Sequence, residues 1–373
     1  MENKLIYLDN AATSFPKPEV IYKAANKAMK EAGGNPGRSG HSLSIKASEI
    51  IEKTRLICAN FFEADKKEEI ILTSSATMSL NLALKGLLLE GDHVITGFFE
   101  HNSILLPLYS LQKNGVEVSK TDLTIKKIKK VIKPNTKLIT CTHVSNVTGS
   151  INDIKAIGAF CRENEILFLV DAAGSAGSKL INVNEMNIDM LAFPGHKGLL
   201  GLQGTGGLYV RDGISLQAIT EGGMGAAINE KPYKYEVGTL NTPGFASLAA
   251  GVEFIINFGI EEIMKKEAEL TNLLINGIKS IKNINLIGND FSKERSSIVS
   301  IEIKNINPSE ASLFLDSAFN IAVRGGFHCA PEAHKKLGTY DTGGTLRISP
   351  NFLNTKEEII KCLEALEVCI SSF

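Results

Sequence analysis

Tryptophan is absent from the 373 residues, aromatic residues of all kinds make up 6%, and cysteine occurs six times without a Cys-x-x-Cys pair. A long chain with so few, unpaired cysteines is built neither around a zinc ribbon nor on a disulfide framework, and no metal is expected. Charge of one sign is also missing. Forty Lys and Arg face 41 Asp and Glu, a net charge of −1, which gives no electrostatic reason for nucleic acid or an anionic membrane as partner. No uncharged apolar window reaches the roughly 18 residues of a membrane span; the nearest, Leu248–Phe258, is interrupted by Glu253. Met1 to Asp9 lack the basic start and apolar stretch of a secretory signal, so a reducing cytoplasm is the expected compartment. Internal repeats and low-complexity linkers are absent too. What remains is ordinary globular composition, 43% apolar and 22% charged, in a chain long enough for one large and one smaller domain.

From about 65 to 210, short apolar runs alternate with helical periodicity. The pattern predicts strands at Glu69–Thr73, Asp92–Thr96, Val116–Ser119, Lys137–Thr142, Ile166–Val170, Met190–Phe193 and Gly206–Val210. Between them it predicts helices at Thr77–Leu89, Ser103–Asn114, Ile125–Ile132 and Asp153–Asn164. Such alternation specifies an α/β fold with a mainly parallel sheet sandwiched by helices. After about 245 come two helices (Ala246–Phe258 and Glu261–Ser280), a strand (Ser297–Ile303), a helix (Pro308–Phe319), a Gly-rich turn, a strand (Thr345–Ser349) and a last helix (Thr355–Ile370). The expected division is 1–245 for an N-terminal arm and large domain, and 246–373 for a small α+β domain.

Ligands of open α/β sheets bind beyond the carboxyl ends of the strands, so the residues that follow each strand carry the argument. Ser74-Ser75-Ala76-Thr77 opens a helix after the first strand; it is either a plain N-cap or a phosphate site at the positive end of the helix dipole. His101 lies at the next strand-to-helix junction, as a structural residue or a ring-stacking one. Asp171 ends a nearly all-apolar strand. A carboxylate there needs a partner, whether a helix start or a cationic group. Lys197 follows the next strand in Gly195-His196-Lys197-Gly198; buried beside other cations it would be a usable amine nucleophile, and paired with an acid it would be structural. Gly201, Gly204, Gly206 and Gly207 lead into a strand instead of a helix, which rejects a dinucleotide fingerprint. Singly these signals are weak. Together, a phosphate-binding helix start, a stacking His, a strand-end Asp and a Lys 26 residues after it are what pyridoxal phosphate requires: an amine for the Schiff base, an acid for the pyridine nitrogen and an anchor for the phosphate.

At Tyr7-Leu8-Asp9-Asn10-Ala11-Ala12, Gly195-His196-Lys197, Glu236-Val237-Gly238-Thr239-Leu240-Asn241-Thr242 and Arg324-Gly325-Gly326-Phe327-His328-Cys329-Ala330, the chain resembles class V aminotransferases of pyridoxal-phosphate fold type I. Within that family it is most similar to group II cysteine desulfurases and selenocysteine lyases. The resemblance implies a seven-stranded sheet in the large domain, pyridoxal 5'-phosphate as cofactor, L-cysteine or L-selenocysteine as substrate, and a homodimer. It makes Lys197 the Schiff-base lysine, His101 the ring-stacking residue and Asp171 the partner of the pyridine nitrogen. Thr77, Ala76 and His196 would bind the phosphate, with Thr239 reaching the neighbouring subunit's. Arg347, Asn146, Arg324 and Ala12 would hold the substrate, and Asn146 also borders the cofactor. Cys329 would accept the sulfur as a thiolate, which Arg324 or His328 would favour; otherwise it is a small buried hydrophobe, although Gly325, Gly326 and Pro331 around it argue for a loop. Cys362 and Cys369, seven apart on an apolar helix face, read as packing residues. His41, in a stretch shared with the family, is expected near the site's mouth. Two positions depart from the pattern. Gly174 stands where the family has a Gln bonded to the ring hydroxyl, a contact that Ser175 or water would have to replace, and Pro194 stands where a Ser often binds phosphate. The acceptor of the sulfur is unspecified, as is its destination in iron–sulfur cluster assembly, thiolated nucleosides or selenium metabolism. Another C–S or C–Se lyase, a transaminase and a non-catalytic sulfur-transfer scaffold are the alternatives.

Overall fold

The computed structural model describes residues 4–222, 230–288 and 291–373. The chain begins with β1 (Ile6–Tyr7), α1 (Glu19–Glu31) and α2 (Ser42–Phe62), then alternates through β2 (Ile70–Thr73), α3 (Ala76–Leu87), β3 (His93–Thr96), α4 (Asn102–Gln112), β4 (Glu117–Lys120), α5 (Ile125–Ile128), β5 (Thr136–Thr142), α6 (Ile154–Glu163), β6 (Leu167–Asp171), β7 (Met190–Pro194) and β8 (Gly206–Val210). All seven strands expected between 65 and 210 are present, and one sheet takes them all in the order β2-β8-β7-β6-β5-β3-β4. Only β8 runs antiparallel to its neighbours; β7, β6, β5, β3 and β4 are parallel.

Both faces of this sheet are covered, which is why its central strands read as unbroken apolar runs. Alternate residues enter different cores. Phe168 and Val170 of β6 and Leu191 and Phe193 of β7 pack on one side; Leu169, Met190 and Ala192 pack on the other. The period-2 geometry of strands requires this division.

The rest of the chain forms α7 (Thr242–Phe258), α8 (Ile260–Ser280), β9 (Ile284–Ile287), β10 (Val299–Ile303), α9 (Pro308–Phe319), β11 (Ile321–Ala322), β12 (Arg324–Gly326), α10 (Pro331–Leu337), β13 (Thr345–Ile348) and α11 (Lys356–Ser372). Strands β12-β13-β10-β9 make an antiparallel sheet. Its core includes Val299, Ile301, Leu346 and Ile348, with Cys362 and Cys369 packed from α11. Strand β1 pairs in parallel with β11 in a separate two-stranded sheet, and an isolated bridge between Asp9 and Ser349 ties the chain's beginning to the segment that follows β13. The expected division at 245/246 falls inside α7, whose Phe245, Leu248, Val252 and Ile255 belong to the first core. We propose that the large domain continues through α7 and that the positive-φ turn at Gly259 (φ 89°) marks the junction. Among the described residues no single helix is long and apolar enough to cross a membrane.

One buried acid in α8 makes stability depend on pH. Glu267 is buried, and burial pushes its carboxyl up from 4.5 to about 8 against the pull of Lys179, the Ser297 side chain and the Phe352 backbone. The folded state therefore holds a proton that the unfolded chain releases, and the associated stability is present below about pH 4.5 and lost as pH rises through about 8. Glu267→Gln should melt close to wild type at pH 5 and roughly 5 °C higher at pH 9; equal melting temperatures at pH 9 would refute the assignment.

Candidate active site

The carboxyl ends of β5, β6 and β7 open on a cavity of about 240 Å³. Thr142, Asp171 and Pro194 are the strand ends that reach it, and Asn146, Ala173, Gly174, His196 and Lys197 come from the turns that follow. The starts of α3 and α4 contribute Ser75, Ala76, Thr77, His101 and Ser103; the N-terminal arm contributes Ala11 and Ala12; the second sheet contributes Arg324 and Arg347, and the loop after β12 contributes His328.

Ser75 caps α3, its hydroxyl accepting from Met78 N–H at 3.2 Å. The N–H groups of Ala76 and Thr77 lie in the first turn, where a helix offers them no partner, and they are the natural anchors for a phosphate. Thr77 Oγ1 meets Ser103 Oγ at 2.9 Å, tying α3 to α4. His101 caps α4, accepting Ser103 N–H on Nδ1 at 3.0 Å. Burial, then the cations Lys197, Arg324 and Arg347, lower its pKa to about 4, so the ring is neutral and suited to stacking.

Asp171 is 2% exposed. Among the described residues its side chain accepts one hydrogen bond, from Ala173 N–H at 2.8 Å. Burial raises its pKa while Ala173 N–H and the Lys197 charge oppose the rise. Lys197 Nζ has no hydrogen bond among the described residues, and burial, then Arg347, lower its pKa to about 8 against Asp171. His196 Nδ1 faces Thr13 Oγ1 at 3.0 Å; burial, Lys197 and Lys17 lower its pKa to about 4. A deeply buried carboxylate one donor short of satisfaction, an unbonded amine and an open helix start fit the three attachment points of pyridoxal phosphate. Small residues, Ala11, Ala12, Ala173 and Gly174, leave room between them.

Arg324 and Arg347 are directly opposite each other on β12 and β13. Arg347 is 1% exposed; Nη1 donates to Asn146 O at 3.1 Å and Nη2 to Asp9 Oδ1 at 2.8 Å. Asn146 Nδ2 donates to His328 O at 2.6 Å. Cys329 is exposed, and Arg324 Nη2 donates to its sulfur at 3.6 Å. His328 and Cys329 have φ of 50° and 59°, left-handed values that cost non-glycine residues energy. The loop is held there by Asn146 and by Asn102 N–H on Cys329 O at 2.9 Å.

Two expectations are corrected. His328 does not serve the thiol: its Nε2 is turned to Thr345 O and Oγ1 at 3.1 and 3.0 Å. Ser175 does not replace the missing Gln, because it is fully buried and directed at Ala172 O. His41 caps α2 through Ser44 N–H at 3.3 Å and does not line the cavity. Thr239, expected at the neighbouring subunit's phosphate, accepts from Asn35 Nδ2 at 3.2 Å and does not line this chain's own cavity. Two residues went unassigned. Asp9 holds Arg347, and Glu100, 1% exposed, accepts Gly97 N–H at 3.2 Å and Thr142 N–H at 2.7 Å, pinning the start of α4 to the end of β5. An acid beside a strand-end His was the available signal for Glu100; Asp9 left none, since its partner is 338 residues away.

The family model for class-V aminotransferases matches residues 6–361. A probable cysteine desulfurase of Methanothermobacter thermautotrophicus is 35% identical, over 97% of this chain and 94% of its own length. A probable cysteine desulfurase of Pyrococcus abyssi is 32% identical over 100% and 96%. The apo structure of a cysteine desulfurase from Thermococcus onnurineus superposes with a TM-score of 0.92 at 32% identity, covering 100% of this chain and 96% of that one.

Gly174 is a packing requirement as well as a departure from the family pattern. A Cβ there would lie 2.9 Å from Val144 O and 3.2 Å from Val144 Cβ, and Val144 is buried. Gly174→Gln should therefore destabilise the fold by about 1–3 kcal/mol in urea unfolding, instead of restoring a cofactor contact. Wild-type stability in that variant would contradict the close packing.

Proposed function

The chain belongs to the class-V aminotransferase family, and on that premise we propose that it is a cysteine desulfurase, converting L-cysteine to L-alanine and leaving the sulfur as a persulfide on Cys329. The observation that carries this reading is an exposed thiol, Cys329, beside a residue that lines the Lys197 cavity. Its sulfur takes a hydrogen bond from Arg324, which is itself a wall of the cavity. A transaminase would have no use for such a thiol.

The groups that would hold pyridoxal phosphate are Asp171 at the ring nitrogen, His101 against the ring, and Thr77, Ala76 and His196 at the phosphate, with Thr239 serving a second subunit in a homodimer. When bound, the cofactor supplies an electron sink that loosens the Cα proton and the Cβ–Sγ bond of the amino acid. Arg347, assisted by Asn146, Ala12 and Arg324, fixes the substrate carboxylate, a task that suits the planar guanidinium fork. Lys197, with a pKa of about 8, is able to take a proton from Cα and return one near neutral pH. The Cys329 thiolate attacks the substrate sulfur. An S–S bond forms as Cβ–Sγ breaks, the electron pair stays with carbon, and a proton completes the methyl group of alanine. The outer persulfide sulfur then passes to an acceptor.

The decisive assay is alanine and sulfide release from L-cysteine by the reconstituted enzyme with a reductant, run beside Cys329→Ala. Equal amounts of both products, reduced at least about 100-fold by the substitution, are expected. Undiminished release by Cys329→Ala would remove the thiol from the reaction, and turnover of L-selenocysteine alone would make the enzyme a selenocysteine lyase.

A further inference from the structure

Asp9 does not itself line the cavity, yet its carboxylate holds the residue on which substrate orientation depends. Resting on the desulfurase reading above, we infer that Asp9 is a positioning residue that presets the Arg347 guanidinium for the carboxylate of the incoming amino acid. Arg347 is buried at the end of a cross-strand pair with Arg324. Two cations opposite each other on adjacent strands repel, and Lys197 adds a third positive group to the same cavity. Asp9 supplies the counter-charge: Oδ1 accepts from Nη2 at 2.8 Å, with the Asp9 side chain 18% exposed.

Its contact also fixes geometry. With Nη1 donating to Asn146 O at 3.1 Å and Nη2 to Asp9, two points define the plane of the fork. Nε is buried and has no hydrogen-bond partner among the described residues. A buried donor left open in this way costs energy, so the guanidinium depends on its two Nη contacts to be held in place.

Asp9 is itself anchored. It makes a parallel bridge to Ser349, two residues beyond Arg347 on the same chain segment. Its carbonyl accepts from Ala12 N–H at 3.0 Å and from the Tyr7 hydroxyl at 3.3 Å. The carboxylate is therefore presented by a fixed backbone and need not be recruited when substrate arrives. Pre-orientation lowers the ordering cost of binding and leaves the chemistry of bond cleavage to other groups.

The test is steady-state kinetics of the reconstituted enzyme with L-cysteine, together with thermal unfolding of the same proteins. Asp9→Ala should raise KM about tenfold or more, about 1.4 kcal/mol, with kcat within about twofold. Asp9→Asn, which keeps an oxygen acceptor for Nη2, should bring KM back to within about threefold of wild type. An unchanged or lowered KM in Asp9→Ala, or a loss borne by kcat, overturns the inference; so does Asp9→Asn behaving like Asp9→Ala. If Asp9→Ala does not fold, Asp9→Ser takes its place with the same expected outcomes, its side chain being too short to reach the guanidinium. If wild type releases no alanine from L-cysteine, the functional reading fails, and unfolding still decides the pairing. Asp9→Ala and Arg347→Met should each lower the midpoint, with the double variant no lower than Arg347→Met alone; additive losses would overturn the pairing.

Discussion

A carboxylate buried at the end of a central strand is the constraint around which this molecule is arranged. Asp171 is desolvated by the sheet that carries it and receives one backbone hydrogen bond. Left to burial alone, it would be driven toward its neutral form. Parallel register brings the partner. Asp171 pairs with Ala192 of β7, and the chain leaving β7 turns within a few residues to deliver Lys197 into the same cavity. Each group then moderates the other: the lysine charge lowers the Asp171 pKa and the carboxylate raises that of Lys197. The strand order makes this encounter inevitable, because β6 and β7 are neighbours and both point their carboxyl ends the same way.

The second constraint is that the site has walls from two sheets. The N-terminal arm joins them. Asn10 Nδ2 reaches Ser349 O at 3.1 Å, while four donors, Ser14 N and Oγ, Thr13 Oγ1 and Lys17 Nζ, converge on the carbonyl of His196 beside Lys197. One short stretch thus fixes both the turn that carries the amine and the strand that carries Arg347. A carbonyl has two lone pairs, so four donors crowd it; Lys17, partly buried and lowered to about 8, is also within 2.7 Å of Ser14 Oγ. The crowding makes the arm part of the site's frame.

This division explains what was legible beforehand. The seven strands could be read because double-sided burial forces continuous apolar runs, and the chemistry could be read because ligands of such sheets collect at strand ends. Lys197, Asp171 and His101 are visible as polar residues placed where apolar sequence stops. The helices before residue 65, α1 and α2, lacked so plain a signal: α2 begins at a histidine cap, His41, and histidine is not among the usual cap residues. The two- and three-residue strands β1, β11 and β12 are defined by pairing across more than 300 residues for β1, and no local pattern encodes such a partner. Asp9 and the true orientation of His328 belong to the same class. Both are properties of tertiary contact, and the residue type alone suggested a different role for His328.

Burial also sorts the thiols. Five of the six cysteines are buried. Burial pushes Cys58 and Cys362 up to about 12 and raises Cys141, Cys161 and Cys369, which favours the protonated thiol in all five. A protonated thiol is a poor nucleophile, which suits these residues to packing in the two cores. Cys329 differs by its backbone as much as by its exposure. Two successive left-handed residues turn the chain so that the sulfur meets Arg324 while His328 passes inward to Thr345. Neither side chain could take its place in an ordinary extended loop. The local strain is held by bonds from Asn146 and Asn102, one lining the cavity and the other adjoining His101, so the thiol's position is tied to groups that shape the cavity beside it.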